Sequence, residues 1–210
     1  MGKVNIGRMV LGLVETNCYY IYDDEKMEAV VIDPAENGVY DALTAKGLKI
    51  VAVILTHGHF DHIMGVHELL EKSGARLYAY KKEEELCKSA KLNASEQIRR
   101  PCTVEPDVYL EDGQEFVLAG INFKAIATPG HTAGSCCYYI PKEDWLLSGD
   151  TLFRGSIGRS DLPTGNEREI LKSVNMLLDC ADFTEETKVY PGHGEASTIG
   201  FERQYNPFRN

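Results

Sequence analysis

The sequence predicts an α/β or mixed layered domain, and three observations carry that expectation. Apolar runs of strand length, bounded by turn residues, alternate with stretches of helical spacing. Each histidine-bearing or aspartate-bearing motif follows one of those runs. No internal repeat of about 20 to 50 residues and no apolar run near the roughly eighteen of a membrane span interrupts the pattern. Helices interleaved with strands argue against a bundle or an all-β barrel, because each element has to bury its apolar face on a neighbouring layer. At 210 residues the chain is long enough for a sizeable core and short enough that one domain over residues 1–210 is expected.

In chain order, alternating or continuous apolar runs predict strands at Tyr19 to Tyr22, Ala29 to Asp33, Ile50 to Leu55 and Arg76 to Tyr80. Further strands are expected at Phe123 to Ala127, Cys136 to Ile140 and Trp145 to Leu147. Amphipathic spacing predicts helices at Val39 to Lys46, Ile63 to Lys72, Lys82 to Ser89 and Glu167 to Leu178. The last of these follows the turn-forming Thr164-Gly165-Asn166. Lys91 to Asp107 has no clear period and is expected to be a loop near the site.

The formal net charge is -10, with no stripe of lysine and arginine beyond short pairs such as Lys81-Lys82 and Arg99-Arg100. Phosphate backbones are held by clustered positive charge, so nucleic acid is not the expected partner and a small molecule is. The N-terminus lacks a secretory pattern, and Ile6 stands where a myristoylation signal wants Ser or Thr, so a cytoplasmic protein without membrane attachment is expected. Six cysteines form no CxxC pair, which points to free, packed thiols; adjacent Cys136 and Cys137 should face opposite sides of a strand.

Five of the six histidines fall in three motifs: Thr56-His57-Gly58-His59-Phe60-Asp61-His62, Thr128-Pro129-Gly130-His131 and Pro191-Gly192-His193-Gly194. Ser148-Gly149-Asp150 lies between the last two. Neutral imidazoles and carboxylates are what Zn2+, Fe2+ and Mn2+ accept, and a structural zinc site needs only four. The four donors packed between His57 and His62 cannot comfortably reach one ion but are easily shared between two neighbouring ones. His131 and His193 would each complete one ion, with Asp150 able to bridge both. Glycines at 58, 130, 149, 192 and 194 let the backbone come close to an ion, and Pro129 and Pro191 stiffen the approach. His67 is expected to be an ordinary surface or core histidine.

Two divalent ions against two carboxylates and a bridging hydroxide leave a surplus of about one positive charge, which suits an anionic transition state. Metal coordination brings the pKa of bound water to about 7, so no serine or cysteine nucleophile is required. Asp61 and Asp150 are the carboxylates expected to take part in the chemistry, Asp61 by accepting a hydrogen bond from the attacking hydroxide.

On these residues the chain resembles the metallo-β-lactamase superfamily. HxHxDH at His57 to His62, Gly130-His131-Thr132-Ala133-Gly134-Ser135, Gly149-Asp150 and Pro191-Gly192-His193-Gly194 carry the resemblance. Val30-Val31-Ile32-Asp33-Pro34 resembles an early strand-and-aspartate motif of that family. Gly149-Asp150-Thr151-Leu152-Phe153, Gly158-Arg159-Ser160-Asp161-Leu162-Pro163 and Ser197-Thr198-Ile199-Gly200-Phe201-Glu202 are similar to its small glyoxalase II-like, hydroxyacylglutathione hydrolase-like branch.

The resemblance implies a four-layer αβ/βα sandwich of mixed sheets with helices on the outer faces and metals at one edge. It implies that His57, His59 and His131 hold one ion, that Asp61, His62 and His193 hold another, and that Asp150 bridges them. It further implies hydrolysis of a thioester such as S-lactoylglutathione, with two divalent ions, zinc in the first place and iron or manganese as substitutes. Fuller-length glyoxalase II enzymes add a helical C-terminal domain that grips glutathione. This chain ends about seventeen residues after His193, so that domain is expected to be absent. Substrate contacts are then expected from loops around Arg99, Phe153, Arg154 and Ile157, with Arg154 read either as a carboxylate clamp or as a solvated arginine. Asp33 is expected to support a ligating histidine, and Arg159 with Asp161 to form an ion pair beside the Asp150 loop. Alternatives within the superfamily are a persulfide dioxygenase with one iron on His57, His131 and Asp150, and a lactone, ester or β-lactam hydrolase. A non-enzymatic metal-binding module is the reading outside it.

Overall fold

A computed structural model describes residues 2–209. The elements in chain order are β1 (Val4–Leu11), β2 (Thr16–Asp23), β3 (Glu28–Ile32), α1 (Val39–Thr44), β4 (Lys49–Leu55), α2 (Phe60–Ile63), α3 (Val66–Ser73) and β5 (Arg76–Tyr80). A 3-10 turn (Lys81–Glu83) leads into α4 (Glu84–Cys87), followed by β6 (Val108–Leu110), β7 (Glu115–Leu118), β8 (Ile121–Ala127), β9 (Cys136–Ile140) and β10 (Trp145–Gly149). The small hairpin β11 (Leu152–Phe153) and β12 (Ser156–Ile157) precedes α5 (Glu167–Asp179), β13 (Lys188–Pro191), β14 (Ser197–Thr198) and α6 (Ile199–Tyr205).

Two six-stranded sheets result, ordered β1-β2-β3-β4-β5-β6 and β14-β13-β10-β9-β8-β7. Both are mixed: β1 to β3 pair antiparallel and β3 to β6 parallel, whereas the second sheet is antiparallel except where β13 joins β10. Side-chain alternation sorts the core into layers. Ile21, Val30, Ile32, Ala52 and Ile54 face Phe123, Ala125, Cys136, Tyr138 and Ile140 between the sheets. Val31, Val53 and Leu55 point the other way, onto Leu43 of α1 and Val66 and Leu69 of α3. Cys137, Tyr139 and Leu146 pack on Ile170, Val174 and Leu177 of α5. Each large aliphatic side chain so buried contributes about 1.5–3 kcal/mol. The architecture is the four-layer αβ/βα sandwich, and Cys136 and Cys137 do serve opposite faces of one strand.

Three differences from the sequence expectation have local causes. The helix expected over Ile63 to Lys72 starts earlier and breaks between α2 and α3. Gly65 donates its N–H to Pro34 O at 2.8 Å and packs so closely on the Pro34-to-Glu36 backbone that a Cβ there would collide with Glu36 O. The helix expected over Lys82 to Ser89 is a 3-10 turn plus the single turn α4. Strands β1, β6, β7, β11, β12 and β14 and helix α6 lie outside the sequence expectation; β1 and β7 are edge strands with partly exposed residues, which blurs a two-residue period. Residues 91–107 are irregular as expected. They are held beside the site by Phe60 N–H donating to Asn93 O at 2.9 Å.

Candidate metal centre

Four strands end at one edge of the sandwich and deliver the donors. β4, in the first sheet, runs into His57 and His59; β8, β10 and β13, in the second, run into His131, Asp150 and His193. Asp61 and His62 ride on α2 directly after the first loop. The sheets are tied together at this edge, where Cys136 N–H donates to Thr56 O at 2.9 Å and the Tyr138 hydroxyl to Leu55 O at 2.8 Å. The glycines serve two purposes. Gly149 has φ of 49°, in the left-handed region, while Gly192 is ordinary in φ but lies where a Cβ would strike Asp150 Oδ1 and approach His62 Cε1 at 2.9 Å.

All seven predicted donors come together. They form three overlapping groups, His57/His59/His131, His57/His62/Asp150 and Asp61/His62/His193, within each of which the donor atoms lie within 4.8 Å of one another. His131 Nε2 is 3.2 Å from His57 Nε2 and 2.9 Å from His59 Nδ1. Asp150 stands between the groups, Oδ1 3.5 Å from His62 Nε2 and Oδ2 3.5 Å from both His131 Nε2 and His193 Nε2. Asp61 Oδ2 is 3.3 Å from His62 Nε2 and 3.2 Å from His193 Nε2.

Tautomers assigned from the outer partners show that these atoms fit a cation. His131 Nδ1–H donates to Arg159 O at 2.6 Å, so Nε2 carries a bare lone pair. Thr56 Oγ1 donates to Asp33 Oδ2 at 2.7 Å, leaving it to accept from His57 Nδ1–H at 3.1 Å, so His57 Nε2 is bare too. Two lone pairs then face each other across 3.2 Å. His59 Nε2, His62 Nε2 and Asp150 Oδ1 are buried without a hydrogen-bond partner. Such atoms are costly unless something positive lies among them.

The electrostatics divide the cluster in two. Burial and the neighbouring imidazoles hold His57 well below its ordinary pKa, and burial takes His59 down to about 3. For His62 burial pulls the same way, but the carboxylates of Asp61, Asp33 and Asp150 outweigh it and raise the ring well above 6.5. His193 goes up to about 9, burial being overcome by its hydrogen bonds to Asp150 and Asp61. Without metal, therefore, His62 and His193 hold protons where His57 and His59 hold none. A raised pKa means the charged form persists until pH passes about 9, so a cation entering beside His193 must displace a proton. Cation uptake by the carboxylate-rich group should strengthen about tenfold per pH unit per proton displaced from about pH 6 to 9, a slope to which His57 and His59 do not add. Chelator-competition titrations at several pH values check this.

The outer partners include predicted and unpredicted residues. Asp33 meets His62, accepting from Nδ1–H at 2.9 Å, and also accepts from Thr56 N–H at 2.8 Å. Arg159 grips Asp161 with two bonds of 2.7 Å, while its carbonyl orients His131. Thr16, Asn17 and Glu83 are supports that sequence reading did not identify. Thr16 Oγ1–H donates to Asp61 Oδ2 at 3.0 Å, and Asn17 Nδ2–H to Pro191 O at 2.8 Å and Gly194 O at 3.0 Å. Their signal was a polar pair opening an otherwise apolar strand. Glu83 gave none, lying in a run of charged residues.

A cavity of about 360 Å³ opens over the cluster, lined by Val14, Phe60, Ala94, Phe153, Arg159 and Leu162 around the histidines and aspartates. Phe153 is thus placed as expected. Arg154 and Ile157 do not line this cavity: the Arg154 guanidinium lies over the Phe201 ring at 4.9 Å with Glu195 at 3.5 Å, and Ile157 packs against the core beneath α5. Arg99 is likewise outside it, exposed on the 91–107 loop. His67 Nε2–H donates to Thr103 O at 2.7 Å, far from the donors in role. All six cysteines are free thiols.

The fold and the donor set together define a metal-dependent enzyme class, and sequence comparison agrees. The model of the metallo-beta-lactamase superfamily matches residues 11–193, and the chain belongs to that superfamily. It is 35% identical over 207 residues to a probable metallo-hydrolase, YqgX, of Bacillus subtilis (strain 168), covering 97% of this chain and 96% of that one. It is 29% identical over 215 residues to the hydroxyacylglutathione hydrolase GloC of Haemophilus influenzae (strain ATCC 51907 / DSM 11121 / KW20 / Rd), covering 99% of each. Among solved structures it is similar to the B3 metallo-beta-lactamase BLEG-1, with a TM-score of 0.88 at 36% identity over 97% of this chain and 99% of that one. TTHA1623 in a di-iron-bound form gives a TM-score of 0.85 at 34% identity over 96% and 99%.

Proposed function

We propose that this chain is a dinuclear metal hydrolase of small thioesters such as S-lactoylglutathione. The observation that carries the reading is the split donor set: one three-imidazole group and one carboxylate-rich group share Asp150 beneath a single cavity. His57, His59 and His131 would hold one divalent ion, Asp61, His62 and His193 the other, and the two oxygens of Asp150 would reach both. When bound, the ions supply hydroxide at neutral pH and a Lewis acid for the thioester carbonyl; zinc, iron and manganese all suit these donors. The di-iron form of TTHA1623 supports two ions, and the name of GloC supports a hydroxyacyl thioester.

The chain's own residues do the rest. Val14, Phe60, Phe153 and Leu162 pack against the substrate and keep bulk water from the reacting carbonyl. Asp61, at the cavity wall, would accept a hydrogen bond from the attacking hydroxide at a carboxylate oxygen and keep it oriented toward the carbonyl. Arg159 lines the cavity with its guanidinium paired to Asp161. In the same reading the chain works as one domain, in the cytoplasm, on a small molecule without a nucleic-acid or membrane partner, in keeping with its net charge of -10.

The test is anaerobic turnover of S-lactoylglutathione and short acyl thioesters, with metal content measured on the same sample. Thiol release without oxygen, with two metals per chain, is expected. Oxygen-dependent consumption of glutathione persulfide by a one-iron protein would instead assign a dioxygenase on His57, His131 and Asp150. Turnover confined to lactones or β-lactams would move the substrate class, and no turnover across the whole panel would leave a metal-binding module. His59→Ala should cut hydrolysis by about 10²–10³-fold, the size of losing one fixed electrostatic group, yet would spare a mononuclear site that does not use it.

A further inference from the structure

Glu83 belongs to no ligand group, yet it is only 1% exposed and ends the 3-10 turn after β5. A buried carboxylate requires donors, and its oxygens have them in an arrangement that bears on the metal centre. Oε1 accepts from Gly58 N–H at 2.8 Å, Oε2 from Thr132 Oγ1–H at 3.0 Å, and Gly134 N–H donates as well. Gly58 separates His57 from His59, and Thr132 follows His131. One carboxylate therefore spans both loops that deliver the three-imidazole group, and it does so from a third element.

The surrounding packing leaves little freedom. Thr132 N–H donates to Ser135 Oγ at 3.0 Å, and the two hydroxyls are 2.7 Å apart. A Cβ on Gly58 would approach Cys87 Sγ at 2.8 Å, and one on Gly134 would overlap the Glu83 carboxylate. Burial pushes the Glu83 carboxyl up to about 7 against the pull of its donors, the mark of a charge retained at some cost.

The carboxylate-rich group is braced by other residues: Asp33 on His62, Thr16 on Asp61, and Val14 O on His193 Nδ1–H at 3.1 Å. That group also contains its own carboxylate, Asp61, whereas the other is built of three imidazoles and no carboxylate.

We propose that Glu83 is a positioning residue that sets the cation affinity of the His57/His59/His131 group and not that of the Asp61/His62/His193 group. This rests on the dinuclear reading. Glu83→Gln keeps the volume but replaces one acceptor oxygen with an amide NH2, which cannot accept from Gly58 N–H or from Gly134 N–H, so a backbone bond to one of the two loops is lost.

The experiment is Co2+ titration against a chelator at about pH 8, followed by absorption, in two backgrounds. With His193→Ala the remaining ion sits in the three-imidazole group, and adding Glu83→Gln should weaken it about 10–100-fold, the usual size for a support behind a ligand. With His131→Ala the remaining ion sits in the carboxylate-rich group, and Glu83→Gln should leave it unchanged. Equal weakening in both backgrounds, or none in either, overturns the proposal. A wild-type chain that binds fewer than two Co2+ overturns the dinuclear reading itself and takes the proposal with it. If Glu83→Gln fails to fold, Thr132→Val removes one of the donors and should show the same selectivity at smaller size; its absence there is equally decisive against it.

Discussion

Asp150→Asn should reduce hydrolysis by on the order of 10²–10³-fold while leaving the fold intact, and should lower metal content at both positions. The side chain stands 3.5 Å from His62, His131 and His193, so its two oxygens are in reach of both groups. Its Oδ1 is buried without a hydrogen-bond partner, which is tolerable for an atom facing a cation and costly otherwise. Asparagine keeps the shape but removes the charge and presents a donor on one side, toward bare imidazole nitrogens. The backbone around it is unaffected, since Gly192 N–H still donates to Gly149 O at 2.8 Å. Steady-state turnover and elemental analysis check both parts; a variant with full activity and two metals would remove Asp150 from the shared position.

Asp33→Ala should be the most destabilising change outside the donor set. Its carboxylate accepts from Thr56 N–H, Thr56 Oγ1–H and His62 Nδ1–H at 2.7 to 2.9 Å, and all three donors are buried. A buried donor left unpaired costs about 1–3 kcal/mol. Asp33 also has φ of 53°, a conformation alanine adopts only at a further cost of order 1 kcal/mol. Together a loss of about 3 kcal/mol or more is expected in urea unfolding, with metal affinity down roughly 10–100-fold as His62 and His57 lose their fixed tautomers. A change under about 1 kcal/mol with unaltered metal binding would contradict this account.

The site was legible in the sequence to the extent that its chemistry is concentrated along the chain. Four donors between His57 and His62, and glycines beside His131, Asp150 and His193, need no tertiary information to look like ligands. The fold was legible through β4, β5, β8 and β9, whose apolar runs are long and buried. What the sequence does not display is which lone polar residue reaches the cluster from elsewhere. Glu83 lies among Lys81, Lys82, Glu84 and Glu85, and only the packing of the 3-10 turn singles it out. Nearness along the chain also misleads: Arg154 follows Phe153 at the cavity, but the tight β11-β12 hairpin turns it onto Phe201. The break at Gly65 was similarly invisible, because the colliding backbone comes from the loop at Pro34 and Glu36.

The central claim is that two cations sit side by side among these seven side chains. Crystals of protein purified without added metal, measured for anomalous scattering and paired with elemental analysis of the same batch, address it directly. The account predicts two metal peaks, one within His57, His59 and His131 and one within Asp61, His62 and His193, with Asp150 touching both. A single peak, or none at these side chains in a protein that turns over thioesters, would contradict it.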